Sequence, residues 1–196
     1  MRNLLTLLLC LMPVISSAQW PTTVEEDLPV STDPHVITRY PQSFPFTDNS
    51  TIVILTEYGG PRYQIIDKYG QLTFPSAQSL FPAITTPAAG QHKSFLDGEG
   101  GVIVTWWNVN WPDSAAGIRA QQIDSLGNIC WGDSAWLIDP RSEPQYGVCL
   151  DGNGGLYAAI SGESLWGYGN DIWIQHINSE GQKCWGDSGI WILGSE

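Results

Sequence analysis

Two stretches of this chain are written on one template. Asp97-Gly98-Glu99-Gly100-Gly101 returns as Asp151-Gly152-Asn153-Gly154-Gly155, and Cys130-Trp131-Gly132-Asp133-Ser134 returns as Cys184-Trp185-Gly186-Asp187-Ser188. Both pairs give the same offset, 151 − 97 = 54 and 185 − 131 = 54, so the copies align without a gap. A period near fifty residues signals an architecture of repeated supersecondary units, each burying its apolar face on a neighbour. A degenerate third copy precedes these two. A Gln stands six residues before an Asp in Gln42 and Asp48, Gln91 and Asp97, and Gln145 and Asp151. In that first copy Asp48-Asn49-Ser50 replaces the Gly-rich turn.

Each copy reads as four short strands. The first lies between the Gln and the Asp, and the Asp-Gly-x-Gly-Gly turn reverses the chain with glycines where positive φ is needed. The second is Ile52–Thr56, Val102–Trp106 or Leu156–Ile160. These runs are almost continuously apolar instead of alternating, which predicts burial on both faces. The third is Arg62–Ile66, Ile118–Ile123 or Ile172–Ile177, followed by turns at Asp67–Gly70, Asp124–Gly127 and Asn178–Gly181. A fourth strand then follows Phe74, Trp131 or Trp185. Four antiparallel strands in about fifty residues, apolar on both faces, describe a β-propeller blade. Helical solenoids need a 3.6-residue period that is absent here, and an immunoglobulin-like sandwich has no such internal copying. The expected fold is therefore all-β: three consecutive four-stranded antiparallel blades forming an open arc. The divisions are residues 1–18 as signal peptide, 19–41 as a leader with one strand near Leu28–Ser31, and blades at 42–90, 91–144 and 145–196.

At these residues the chain resembles secreted bacterial β-propeller-repeat proteins whose blades carry Asp-Gly-x-Gly-Gly followed by Gln-x-Ile-Asp-x-x-Gly-x-x-x-Trp-Gly. Here the pattern is Asp97 to Gly101, then Gln121, Ile123, Asp124, Gly127, Trp131 and Gly132. The third copy matches except for Asn178 in place of the Asp, and the first has Phe74 for Trp and no Gly pair. The resemblance covers about residues 42–193 and implies a propeller in an exported protein, often long and ending in a sorting or adhesive module. No such module is recognisable here, so the chain reads as partial.

The N-terminus agrees with export. Arg2 precedes the apolar run Leu4 to Leu11, and Ser16-Ser17-Ala18 provides small residues at the −3 and −1 positions of a cleavage site. That run is shorter than the roughly 20 residues a membrane span needs. Large Leu9 before Cys10 argues against lipid anchoring. Cleavage starts the mature chain at Gln19, and loss of Arg2 takes the net charge from −12 to −13. So acidic a surface repels phosphate backbones and anionic lipid, which excludes nucleic acid and membrane surfaces as partners. Cys130, Cys149 and Cys184 form an odd set, and two of them occupy equivalent places in neighbouring copies, so they are expected as buried small hydrophobes.

Candidate chemistry is sparse. Gly186-Asp187-Ser188-Gly189 looks like the nucleophile segment of trypsin-like proteases, but it is a second writing of Gly132-Asp133-Ser134-Ala135 and lacks a His in a catalytic context. The Asp-x-x-Gly-x-x-x-Trp turns are similar to the Asp-boxes of sialidases, which lie away from the catalytic site. The Asp-Gly-Asn-Gly-Gly turn offers too few oxygens for calcium, which takes six to eight. His35, His92 and His176 stand isolated, and His176 occupies the place of Gln122. Glu57, Glu99 and Glu163 could supply a carboxylate pair for glycoside chemistry, but spacing selects no two of them. No metal or other cofactor is implied.

The connection between the second and third strands is short in the first copy. It is longer and aromatic in the other two, with Trp107, Trp111, Trp166 and Tyr168. Equivalent loops of consecutive blades emerge on one face, and Trp beside Asn and Asp suits stacking on sugars or gripping a protein. The competing reading folds these rings down as plugs over the blade. The functional expectation is a secreted or cell-surface module, non-enzymatic, that binds a glycan or protein through these aromatics and self-associates through exposed blade faces. The alternative is a fragment of a propeller enzyme acting on glycans, its catalytic residues in missing blades.

Overall fold

The computed structural model describes residues 30, 38–46, 48–57, 59–81, 89–108, 117–132, 135–138, 145–163 and 170–193. The signal peptide and the strand expected near Leu28–Ser31 therefore lie outside the described residues, apart from Val30. Among the described residues every regular element is a β-strand. Sheet one comprises β1 (Arg39–Pro45), β2 (Thr51–Glu57), β3 (Gly60–Ile66) and β4 (Gln78–Ser79). Sheet two comprises β5 (Ala89–Leu96), β6 (Val102–Asn108), β7 (Gly117–Ile123) and β8 (Ala135–Ile138). Sheet three comprises β9 (Gln145–Leu150), β10 (Leu156–Glu163), β11 (Asn170–Ile177) and β12 (Ile190–Leu193). Every sheet is an antiparallel meander of four strands consecutive in the chain.

The turns form because short polar side chains bind the amides that a sharp reversal leaves free. Asp97 Oδ1 accepts from the amides of Glu99 and Gly101, both at 2.8 Å, and Asp151 Oδ1 does the same for Asn153 and Gly155 at 2.8 and 2.9 Å. The last glycine of each turn is demanded by space: a Cβ on Gly101 would run into the carbonyl of Ile123, and one on Gly155 into that of Ile177. The second turns use the same device at Asp67, Asp124 and Asn178, each accepting from the amides two and four residues on.

A buried glutamine fixes each third strand to the segment after it. Gln121 Oε1 accepts from the amide of Trp131 at 2.9 Å and its Nε2 donates to Gly132 O at 3.2 Å. Gln175 bonds Trp185 N and Gly186 O in the same way, and Gln64 bonds the amide and carbonyl of Phe74. Each Gln thus satisfies both ends of its amide where water cannot reach.

The sheets pack face to face in chain order. Ile52, Ile54, Tyr63 and Ile65 of sheet one meet Val102, Val104, Trp106 and Ile123 of sheet two. Ile103, Ile118, Ala120 and Trp131, on the opposite face of sheet two, meet Leu156, Ala158, Ile160 and Ile177 of sheet three. The alternation of a strand sorts β6 between two cores: even positions 102 to 106 face sheet one, and Ile103 faces sheet three. This explains the unbroken apolar run. In β10 the same register leaves Tyr157 and Ala159 exposed, so among the described residues only one of its faces is covered by another sheet.

Candidate functional site

Two inter-sheet joints set the geometry of any site in this molecule. At the first, Tyr63 of sheet one donates its hydroxyl proton to Gly127 O in a turn of sheet two, at 3.0 Å. Ile65 lies where a Cβ on Gly127 would be. Burial first, and then the nearby Asp124 carboxylate, pushes the Tyr63 phenol pKa up, so it stays a proton donor. At the second joint, the Trp131 indole N–H donates to Ser179 O in the matching turn of sheet three, at 2.8 Å. A Cβ on Gly181 would sit 2.6 Å from Trp131 Cγ. Each joint therefore presses an aromatic side chain with a polar tip onto a glycine turn of the following sheet.

Trp185 is placed like Trp131 by Gln175, but no turn covers it among the described residues. It is half-buried and leans on a stack of Tyr157 and His176, whose ring centroids are 4.4 Å apart. His176 Nε2 also bonds Asp151 Oδ2 at 2.8 Å, as Gln122 Nε2 bonds Asp97 Oδ2 at 2.9 Å in sheet two. His176 thus performs the turn-bracing task of the glutamine it replaces. Partial burial pushes the Asp151 pKa up, but the bonds from His176, Asn153 and Gly155 outweigh it and hold the carboxyl below the ordinary range. Around this stack the sheet exposes Cys149, which pairs with Tyr157, and Ile190, which pairs with Ile174. Trp191 and Ile192 of the edge strand are 59% and 53% exposed.

A second polar cluster lies between sheets one and two. Thr56 Oγ1 and His92 Nδ1 are 2.8 Å apart, both buried, and burial lowers the His92 pKa to about 4. His92 Nε2, Ser94 Oγ and Trp106 Nε1 are buried without a hydrogen-bond partner among the described residues. Arg119 lies over the Phe81 ring at 4.2 Å, and Glu57 pairs with Arg62 at 2.9 Å. A Thr–His contact is the geometry of an activated hydroxyl. Here both partners are shut from solvent, so the contact joins two sheets. The sequence showed His92 as isolated because its partner is 36 residues away and on another sheet.

Of the four aromatics expected on a loop face, Trp107 is described: β6 runs on through Asn108, so Trp107 is a strand residue paired with Ile118. It is half-buried against the core between sheets two and three. Trp111, Trp166 and Tyr168 lie outside the described residues, as does His35. Of the three glutamates weighed for acid–base chemistry, Glu57 is paired with Arg62, and Glu99 lends its amide to the Asp97 turn. The cysteines correct an expectation of burial, because Cys130, Cys149 and Cys184 are all exposed and unpaired with one another. Cys130 and Cys184 sit beside turns, and Cys149 falls on the uncovered side of sheet three because β9 alternates.

No protein-family model matches the chain, and no curated protein and no solved structure matches it.

Proposed function

We propose that the three sheets are blades of an open β-propeller arc, and that the chain is an exported, secreted or cell-surface module that acts by binding a glycan or protein. The observation that carries this reading is the uncovered side of sheet three. Tyr157, Ile190 and Ile192 are 38%, 44% and 53% exposed, whereas Ile103, at the place of Tyr157 in sheet two, is fully buried. Apolar patches of that kind mark interaction surfaces on soluble proteins. Among the described residues, Asp97, Asp124 and Asp151 bind turn amides, and His176 and Gln122 brace two of those aspartates. The likeness of the sequence to secreted propeller-repeat proteins supports the same reading, as does the leader ending at Ala18.

Glycan arrays and immobilised envelope proteins test the proposal, with the exported chain beginning at Gln19 by intact mass. Loss of binding on Tyr157→Lys or Ile190→Lys, without loss of folding, identifies the sheet face. Loss on Trp111→Ala, Trp166→Ala or Tyr168→Ala identifies the loop aromatics instead. A protein that stays in the cell, or that binds neither class, defeats the reading.

A further inference from the structure

The two internal joints are alike enough to say what the uncovered side of sheet three accepts. In both, an aromatic side chain reaches across to the second turn of the next sheet and donates to a turn carbonyl: Tyr63 to Gly127 and Trp131 to Ser179. In both, that turn ends in a glycine at positive φ, 84° for Gly127 and 77° for Gly181, whose missing Cβ makes room for Ile65 or Trp131. Trp185 has the place, the glutamine fixture and the indole donor of Trp131. Around it, Tyr157, Ile172 and Ile174 stand where Ile103, Ile118 and Ala120 stand in sheet two. Those three are fully buried under sheet three, and their counterparts are exposed or half-buried.

We propose that the outer side of sheet three is a docking face for a further four-stranded sheet of this same pattern, carried by a partner polypeptide. That sheet seats an Asp/Asn-x-x-Gly turn on Trp185 and accepts a hydrogen bond from its indole N–H. The proposal rests on the reading of this side as the interaction surface. It narrows the partner from any glycan or protein to a sheet with an apolar leading face and a glycine-ended turn. Continuity with the two joints already present selects this occupant. A sugar would stack on one ring but leave Ile172, Ile174 and Ile190 wet. The partner sheet covers all of them, as sheet three covers sheet two.

Cys149 reports on this face, since it is exposed and lies opposite Tyr157. The full chain is extended after Leu193 by a second copy of residues 140–193, which continues the 54-residue offset; the cysteines of the added copy are replaced by serine. Iodoacetamide labelling of Cys149 is then followed by peptide mass, in natural and extended chains. The expected result is labelling several-fold slower in the extended chain, since Phe95, the counterpart of Cys149 in sheet two, is half-buried. Gly181→Ala in the added copy alone should restore the natural rate, because the new methyl has no room against Trp185. An added copy that stays unfolded, or that folds and leaves Cys149 as reactive as before, overturns the proposal. Protection that depends only on the concentration of the natural chain supports the same contact, with a second copy of the molecule supplying the docking sheet. The readout uses neither a glycan nor an envelope protein. Failure here while those assays remain positive rejects the sheet as partner but keeps the surface, and the reverse pattern rejects the wider reading.

Discussion

Strands β6 and β10 occupy the same place in successive sheets, yet they live in different surroundings. In β6 both sets of alternating side chains are buried, Val102, Val104 and Trp106 toward sheet one and Ile103 toward sheet three. In β10, Leu156, Ala158 and Ile160 are buried against sheet two, while Tyr157 and Ala159 face out. The same contrast separates Trp131, 6% exposed beneath the turn of sheet three, from Trp185, half-buried with only its own sheet for support. Position within a sheet decides which backbone atoms hold a side chain. The neighbouring sheet decides whether that side chain is core or surface.

The largest test of the contrast is truncation of the two tryptophans. Trp131→Ala empties a buried site and should lower unfolding free energy by about 3–5 kcal/mol, as large-to-small core changes do. Trp185→Ala removes a half-exposed ring and should cost about 1–2 kcal/mol. Chemical denaturation measures both, and equal losses would break the comparison.

The two glycines at matching positive φ sharpen it further. Gly181→Ala adds left-handed strain of about 1–2 kcal/mol to a clash with Trp131 worth about 1–3 kcal/mol more. Gly186→Ala, at φ 70° with nothing within 4 Å of the new methyl, should show the strain alone. Matching destabilisation of the two variants would mean that the turn is not pressed on Trp131.

A pH series probes the joint between sheets one and two, which has no counterpart on the open side of sheet three. Burial holds His92 near 4 in the folded chain against an ordinary 6.5. As pH falls, the unfolded chain takes the proton first. The contribution is therefore fully present above about pH 6.5 and is lost progressively toward pH 4, by about 3 kcal/mol in all. The stability profile of His92→Gln should be flatter over that window. A wild-type profile as flat as the variant's would show that His92 is not buried at a closed joint.

The smallest effect is expected at His176→Gln, which installs in sheet three the bond that Gln122 makes to Asp97 in sheet two. The change should stay within about 0.5 kcal/mol, the range of substitutions that keep their partners. A loss several times larger would assign His176 a task beyond bracing Asp151.

The turns and the strands were legible from residue order alone. An Asp that binds the amides two and four residues ahead, and glycines at positive φ, act over four or five residues, so their pattern shows in the chain. The 54-residue offset likewise announced four strands per copy, and the sheets are drawn from those strands in that order. What the order of residues could not express is contact between sheets. Thr56 meets His92, Tyr63 reaches Gly127 and Trp131 reaches Ser179 across separations of 36, 64 and 48 residues. Trp107, expected on a loop, became a strand residue because β6 continues through Asn108. The cysteines, expected inside, came out because alternation in β9 and the turns beside Cys130 and Cys184 point away from either core. Trp131 and Trp185 are the same residue in the same local frame. Only the stacking of one sheet on the next makes the first of them core and leaves the other half-buried, because burial depends on what lies across the interface and not on the strand that carries the ring.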